Sequence, residues 1–134
     1  MKPIVLSLIA FLLTISLFSC SRDYDSYLSS SVQEILTRSA WSVEIQDTSQ
    51  MTSHNYSGYT LLFDPSGAVV SKKNNDYCTG GWQNINELII LKFNCADVNV
   101  LSLNKSWKIV SKSTSAIEFQ SQNQPAHELI LTKQ

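Results

Sequence analysis

The groups in this chain that could do chemistry are few and far apart. Three cysteines stand at positions 20, 78 and 95, two histidines at 54 and 127, and 11 carboxylates are spread through 134 residues. No HxH or HxxxH spacing gives a zinc ion two ligands from one strand or one helix face. No Gly-x-Ser-x-Gly presents a serine nucleophile. Asp23 and Asp25 are close in sequence but sit in a polar, serine-rich stretch, while Asp76 and Asp97 lie near loops and would have to be brought together by the fold to act as an acid and base pair. Gly80-Gly81 runs into Trp82 with no helical pattern behind it, so it is not a phosphate loop. A bend or bulge in a strand is its expected use. The chain is therefore read as non-enzymatic, with no metal and no cofactor, and its histidines as surface residues.

The remaining chemistry is at the front. Met1-Lys2-Pro3 gives a charged start, and from Ile4 to Phe18 only Ser7, Thr14 and Ser16 interrupt an apolar run. The run is about 15 residues, short of the roughly 20 that a membrane-spanning helix needs, so it reads as a secretory signal. Leu17-Phe18-Ser19-Cys20 resembles the bacterial lipobox, with Leu first, a small residue before the end and the obligatory Cys; Phe18 is larger than that position usually holds. The resemblance implies cleavage after residue 19 and lipidation of Cys20, which would anchor the chain to the bacterial outer membrane through its acyl chains. Residues 20–30, ending in "SRDYDSYLSS", then form a solvated tether. Asp23 and Asp25 weakly resemble a surface-export signal, which extends the expected location to the cell surface.

Cleavage removes Lys2 alone among the charges, leaving one fewer than the chain's 10 basic residues against all 11 acidic ones. With no basic cluster longer than Lys72-Lys73, nucleic acid is not an expected partner. Residues 31–134 are enough for one domain with a modest core, expected as a monomer. Ser31-Val32-Gln33-Glu34 fits a capping box, and Leu28, Val32, Ile35 and Leu36 recur at helical spacing, so a short helix should open the domain.

From Trp41 the period changes to two. Strands are expected near 41–47, 56–63, 68–73, 77–83, 88–94, 105–112, 115–121 and 127–133, joined by turns such as "DPSG" at 64–67, which puts Pro second and Gly fourth. Eight short antiparallel strands in hairpin order are best satisfied by an all-β up-and-down barrel, which leaves no exposed edge. If 77–83 and 88–94 turn at Asn86-Glu87, Trp82 falls opposite Leu91, Gly80 opposite Phe93 and Cys78 opposite Cys95. A disulfide between Cys78 and Cys95 is the favoured reading in an exported protein. Two buried free thiols, or a metal-binding or catalytic thiol, are the alternatives.

"GYTLLFDPSGAVV", "TGGW", "LIILKF", "LSLNKSWKIV", "AIEF" and "HELILTK", in that order over roughly 36–133, resemble the lipocalin-like domain of small Bacteroidota lipoproteins. The resemblance implies a small eight-stranded barrel or half-open sandwich, with no catalytic residues to carry over. Ser39-Ala40-Trp41 stands where lipocalins proper carry Gly-x-Trp. Trp41, Trp82, Trp107, Tyr59, Phe63, Phe93 and Phe119 are expected to fill the core, leaving at most a shallow mouth near Tyr56, Tyr59 or Tyr77. The function expected is a binding module for a small apolar ligand, or an inhibitor or assembly subunit that binds an envelope protein through strand faces and loops.

Overall fold

The computed structural model describes residues 31–54 and 56–134; Cys20, Leu28 and the tether lie outside them. The chain begins with helix α1 (Val32–Thr37) and continues through β1 (Ala40–Asp47), β2 (Thr52–His54), β3 (Tyr59–Phe63), β4 (Ala68–Lys73), β5 (Asp76–Ile85) and β6 (Leu88–Phe93). A single turn of helix, α2 (Val98–Leu101), precedes β7 (Ser106–Lys112), β8 (Ala116–Ser121) and β9 (His127–Lys133). All pairings are antiparallel; from β3 onward each strand pairs with the next in sequence, β1 lies beside β3, and β1 also pairs with β9 from Trp41↔Lys133 to Asp47↔His127, which closes the sheet. The result is a closed eight-stranded up-and-down barrel. On its other edge β1 is shared: Ala40–Ser42 pair with β3, and Ile45–Asp47 pair with the short β2. The strand expected at 56–63 starts only at Tyr59, with Tyr56 in the connection and not in a strand, and β2 is an addition to the expected eight.

The alternation read from sequence decides which face is inside. Trp41, Val43, Ile45 and Asp47 of β1 are buried, as are Tyr59, Leu61 and Phe63 of β3 and Ile89, Leu91 and Phe93 of β6. An eight-stranded barrel is just wide enough for its own side chains, and here Trp41, Trp107 and Phe119 are among its fully buried fillers. Each indole N–H needs a partner once buried. Trp41 donates to the Leu36 carbonyl at 2.9 Å, Trp82 to Asp64 at 2.9 Å and Trp107 to Leu103 at 3.0 Å. All three acceptors lie in segments that cross or turn at a barrel end, so the tryptophans fasten those segments to the wall.

Helix α1 has only six residues and draws its stability from packing. Ser31 caps it by accepting from the Glu34 N–H at 3.2 Å, and Val32, Ile35 and Leu36 join the core. The helix sits against β3 at the end where β1 starts. At the same end the DPSG turn forms as expected, with Gly67 N–H donating to Asp64 O at 3.0 Å and Gly67 at φ 95°.

The β5–β6 hairpin has the register expected of it, from Gly80↔Phe93 to Ile85↔Leu88, turning on Asn86 and Glu87, both at positive φ. Just past the paired stretch Cys78 and Cys95 form a disulfide with Cα atoms 5.7 Å apart. The glycines bring a correction. Gly80 and Gly81 make no bulge, because pairing to β4 and β6 runs through both without a shift. Gly80 is needed for closeness: a Cβ there would lie 2.4 Å from the Lys92 carbonyl oxygen. The bulge falls in β7 between Ile109 and Ser111, leaving Val110 exposed.

Candidate functional site at the α2 end of the barrel

The end of the barrel opposite α1 gathers polar groups from six segments. β1 arrives there with Asp47, β3 leaves with Tyr59, β4 arrives with Lys73, β7 leaves with Lys105 and β9 with His127; α2 and its flanks lie over the opening. Two hydrogen-bonded clusters close it.

The first ties α2 to the β2–β3 connection. Asp97 caps α2, its Oδ1 accepting from the Asn99 N–H at 2.9 Å and the Val100 N–H at 3.4 Å. Its other oxygen accepts from the Tyr59 hydroxyl at 2.7 Å. Tyr56 packs edge-on to Tyr59, with ring centroids 5.8 Å apart. Its hydroxyl donates to the Asn99 carbonyl at 3.2 Å and meets the Ser102 hydroxyl. Lys73 Nζ stands 4.4 Å from the Tyr59 ring centroid, a cation–π distance. Burial pushes the Asp97 carboxyl up, but the Tyr59 hydroxyl, the two α2 N–H groups and the Lys73 charge outweigh it and hold the pKa below its ordinary value. Burial raises that of Tyr56.

The second cluster joins β1, β9 and the residue just before β7. The buried Asp47 accepts at Oδ1 from the Ser49 N–H at 2.9 Å and the Ser49 hydroxyl at 2.5 Å. Its Oδ2 lies 3.5 Å from His127 Nε2. The other ring nitrogen, Nδ1, is 2.9 Å from Lys105 Nζ, which also donates to Gln124 Oε1 at 2.8 Å. The tautomer that satisfies both contacts carries its proton on Nε2 and accepts at Nδ1. The Ser49 hydroxyl is the main cause of a lowered Asp47 pKa, with the Ser49 N–H and the His127 ring adding to it against burial. Burial lowers the pKa of Lys105.

The three tyrosines named from sequence do not make one rim. Tyr56 and Tyr59 come together, but both are buried and their hydroxyls are engaged by α2 and its flanks. Tyr77 stands apart, 63% exposed, with Lys72 Nζ 5.6 Å from its ring. Asp97 meets Tyr59 and not Asp76. His54 falls in β2, paired with Ile45. His127 is no free surface histidine but is half-buried between the Asp47 carboxylate and the Lys105 side chain. The Asp47–His127–Lys105 grouping escaped sequence reading because its members come from three separate segments, β1, β9 and the residue just before β7, and share no motif. The one signal was parity, since Asp47 and His127 share the inward face at the same end of their paired strands. Among the described residues no group of three or more His, Cys, Asp or Glu could hold a metal ion. A groove of about 310 Å³ lies on the outer wall between the DPSG turn and β5–β6, lined by Gly67, Gly81, Trp82, Gln83 and Lys92.

This architecture is the fold of lipocalin-like barrels of known structure. A lipocalin-like protein from Bacteroides uniformis superposes with a TM-score of 0.56 at 15% identity, covering 75% of this chain and 99% of that one. A DUF4847 family protein from Bacteroides vulgatus gives a TM-score of 0.58 at 14% identity over 78% of this chain and 99% of the other. A protein from Burkholderia xenovorans gives 0.52 at 9% identity over 76% and 86%. No family model and no curated protein matches the sequence. The likeness is one of fold.

Proposed function

We propose that this chain is a lipoprotein, held at the bacterial outer membrane by a lipidated Cys20, whose barrel is a non-enzymatic binding module that meets its ligand at the α2 end. The observation that carries the reading is the polarity of the barrel's axis. The chain enters at α1, so a tether from Cys20 attaches at that end, while Asp47, Tyr59, Lys73, Asp97, Lys105 and His127 collect at the other. An anchored molecule would turn that polar end away from the membrane. The interior beneath it is occupied by aromatic and aliphatic side chains, which favours a small polar ligand or the edge of a larger one over a swallowed apolar molecule.

The test has two arms. Mass spectrometry of the mature N-terminus should find an acylated Cys20, and Cys20→Ser should move the protein out of the membrane fraction; an unmodified Cys20 in that fraction refutes the anchor. For the ligand, amide chemical-shift mapping of the barrel against fractionated envelope extract should show changes at Asp47, Lys105, His127 and α2. Changes confined to the α1 end would refute the assignment of the mouth.

A second reading, an envelope protein as partner, draws on α2 itself. Val98 is 76% exposed and Leu101 37%, an apolar outer side on the element that covers the mouth. In that case the shifts would centre on those two residues.

A further inference from the structure

We propose that Lys105 is a nucleophilic amine that condenses reversibly with small aldehydes at the barrel mouth. The inference concerns the chemistry of one side chain and goes beyond the binding role above.

Lys105 is held between a histidine and a glutamine. Its Nζ is 2.9 Å from His127 Nδ1, a nitrogen with a lone pair in the tautomer that suits its surroundings, and the far side of that ring faces the Asp47 carboxylate at 3.5 Å. Asp47 is itself fixed by both the N–H and the hydroxyl of Ser49. A carboxylate that orients an imidazole, which in turn contacts the attacking group, is the general logic of an activated nucleophile. Here the group at the end of the relay is an amine. Lys105 makes no contact with a carboxylate within ion-pair distance among the described residues; its hydrogen-bond partners, His127 Nδ1 and Gln124 Oε1, are neutral acceptors, and the Trp107 ring, its centroid 5.7 Å away, carries no charge. Burial without a counter-charge favours the uncharged amine, in accord with the lowered pKa of this group. The side chain is half-buried, so a small carbonyl compound can reach it. An anion-binding role fits less well, since the Asp47 carboxylate behind His127 would repel the ligand.

The reaction balances without any group beyond the aldehyde. The lone pair of the uncharged Nζ attacks the carbonyl carbon; a C–N bond forms and the C=O π pair moves to oxygen. One proton of the now cationic nitrogen passes to His127 Nδ1, Asp47 stabilises the imidazolium, and His127 hands that proton to the alkoxide oxygen to give the carbinolamine. Loss of water with the nitrogen's remaining proton gives the imine, and water reverses the sequence.

The probe is glyceraldehyde with sodium cyanoborohydride, which reduces the imine to a stable secondary amine. The full chain is labelled for short times and digested, and adducts at Lys105 are compared with those at the exposed Lys108 and Lys133 of the same molecules. Lys105 should be labelled several-fold faster than either. His127→Gln keeps an acceptor for Lys105 but supplies no base, and should cut the Lys105 rate by about tenfold or more, leaving Lys108 and Lys133 unchanged; Asp47→Asn should act in the same direction. A Lys105 rate no higher than the reference lysines overturns the proposal, whichever variants fold. So does a Lys105 rate indifferent to His127→Gln. The labelling reads this amine alone, so its outcome is separate from whether the mouth binds an envelope ligand.

Discussion

Replacing Gly80 by alanine tests the account of β5 most severely. An added Cβ would stand 2.4 Å from the Lys92 carbonyl oxygen, 2.8 Å from Phe93 Cα and 2.9 Å from Phe93 Cδ1. Two of these three atoms are backbone, and β6 cannot back away freely. It is paired to β5 on this side through Trp82↔Leu91 and Gly80↔Phe93, to β7 on the other, and stapled by the disulfide two residues beyond. Restoring a van der Waals separation near 3.5 Å would move the strands apart by about an ångström. Overpacking of this kind costs about 1–3 kcal/mol, and because the obstacle is backbone the upper figure applies. For a domain of this size about 3 kcal/mol corresponds to a fall in Tm of roughly 12–24 °C. The neighbouring Gly81→Ala is the control. Its Cβ would meet nothing nearer than the Gly67 carbonyl at 3.6 Å, and the stiffer unfolded chain should leave stability unchanged or raise it by up to about 1 kcal/mol. Thermal melts of both variants with the disulfide intact decide the matter. If Gly80→Ala melts like the parent, or both variants fall together, the close approach of β5 and β6 is not what holds a glycine at 80.

The Cys78→Ser/Cys95→Ser double variant opens a loop of sequence separation 17 and should lose roughly 3 kcal/mol, read from urea midpoints. Trp107→Phe removes the indole donor to the Leu103 carbonyl, which keeps the Lys105 N–H at 2.7 Å, and should cost about 0.5–1.5 kcal/mol on the same assay. The folded-state pKa of Asp97 is depressed, so its contribution to stability is present above the unfolded pKa and is lost as pH falls through the folded one. The acid limb of a stability–pH curve, below about pH 4, should therefore flatten in Asp97→Asn.

Local chemistry was legible wherever a short-range rule governed it. Trp41, Val43 and Ile45 announce β1 by alternation. Pro65 and Gly67 announce a turn, and Asn86-Glu87 as the pivot fixes every partner in β5–β6, from which the Cys78–Cys95 disulfide follows. The late start of β3 at Tyr59 was not legible, because Tyr56 is captured by Asn99 and Ser102, 43 and 46 residues away. Nor was α2, a single turn held by the Asp97 cap and by tyrosines from another part of the chain. Gly80 shows the same limit: a glycine in a strand suggests a bend from sequence, whereas the reason is a carbonyl on the adjacent strand.

By itself, then, the sequence determined roughly where most strands lie, which side of each is apolar and how the β5–β6 hairpin pairs, because backbone pleat and turn geometry act over a few residues. Only the tertiary structure decided what meets at the barrel's end. Asp47, Lys105 and His127 are joined by the closure of β1 on β9 and by the reach of Lys105 from just before β7 to His127 on β9. Those contacts depend on how many strands complete the ring and how far each is staggered, and no local pattern of residues encodes that sum.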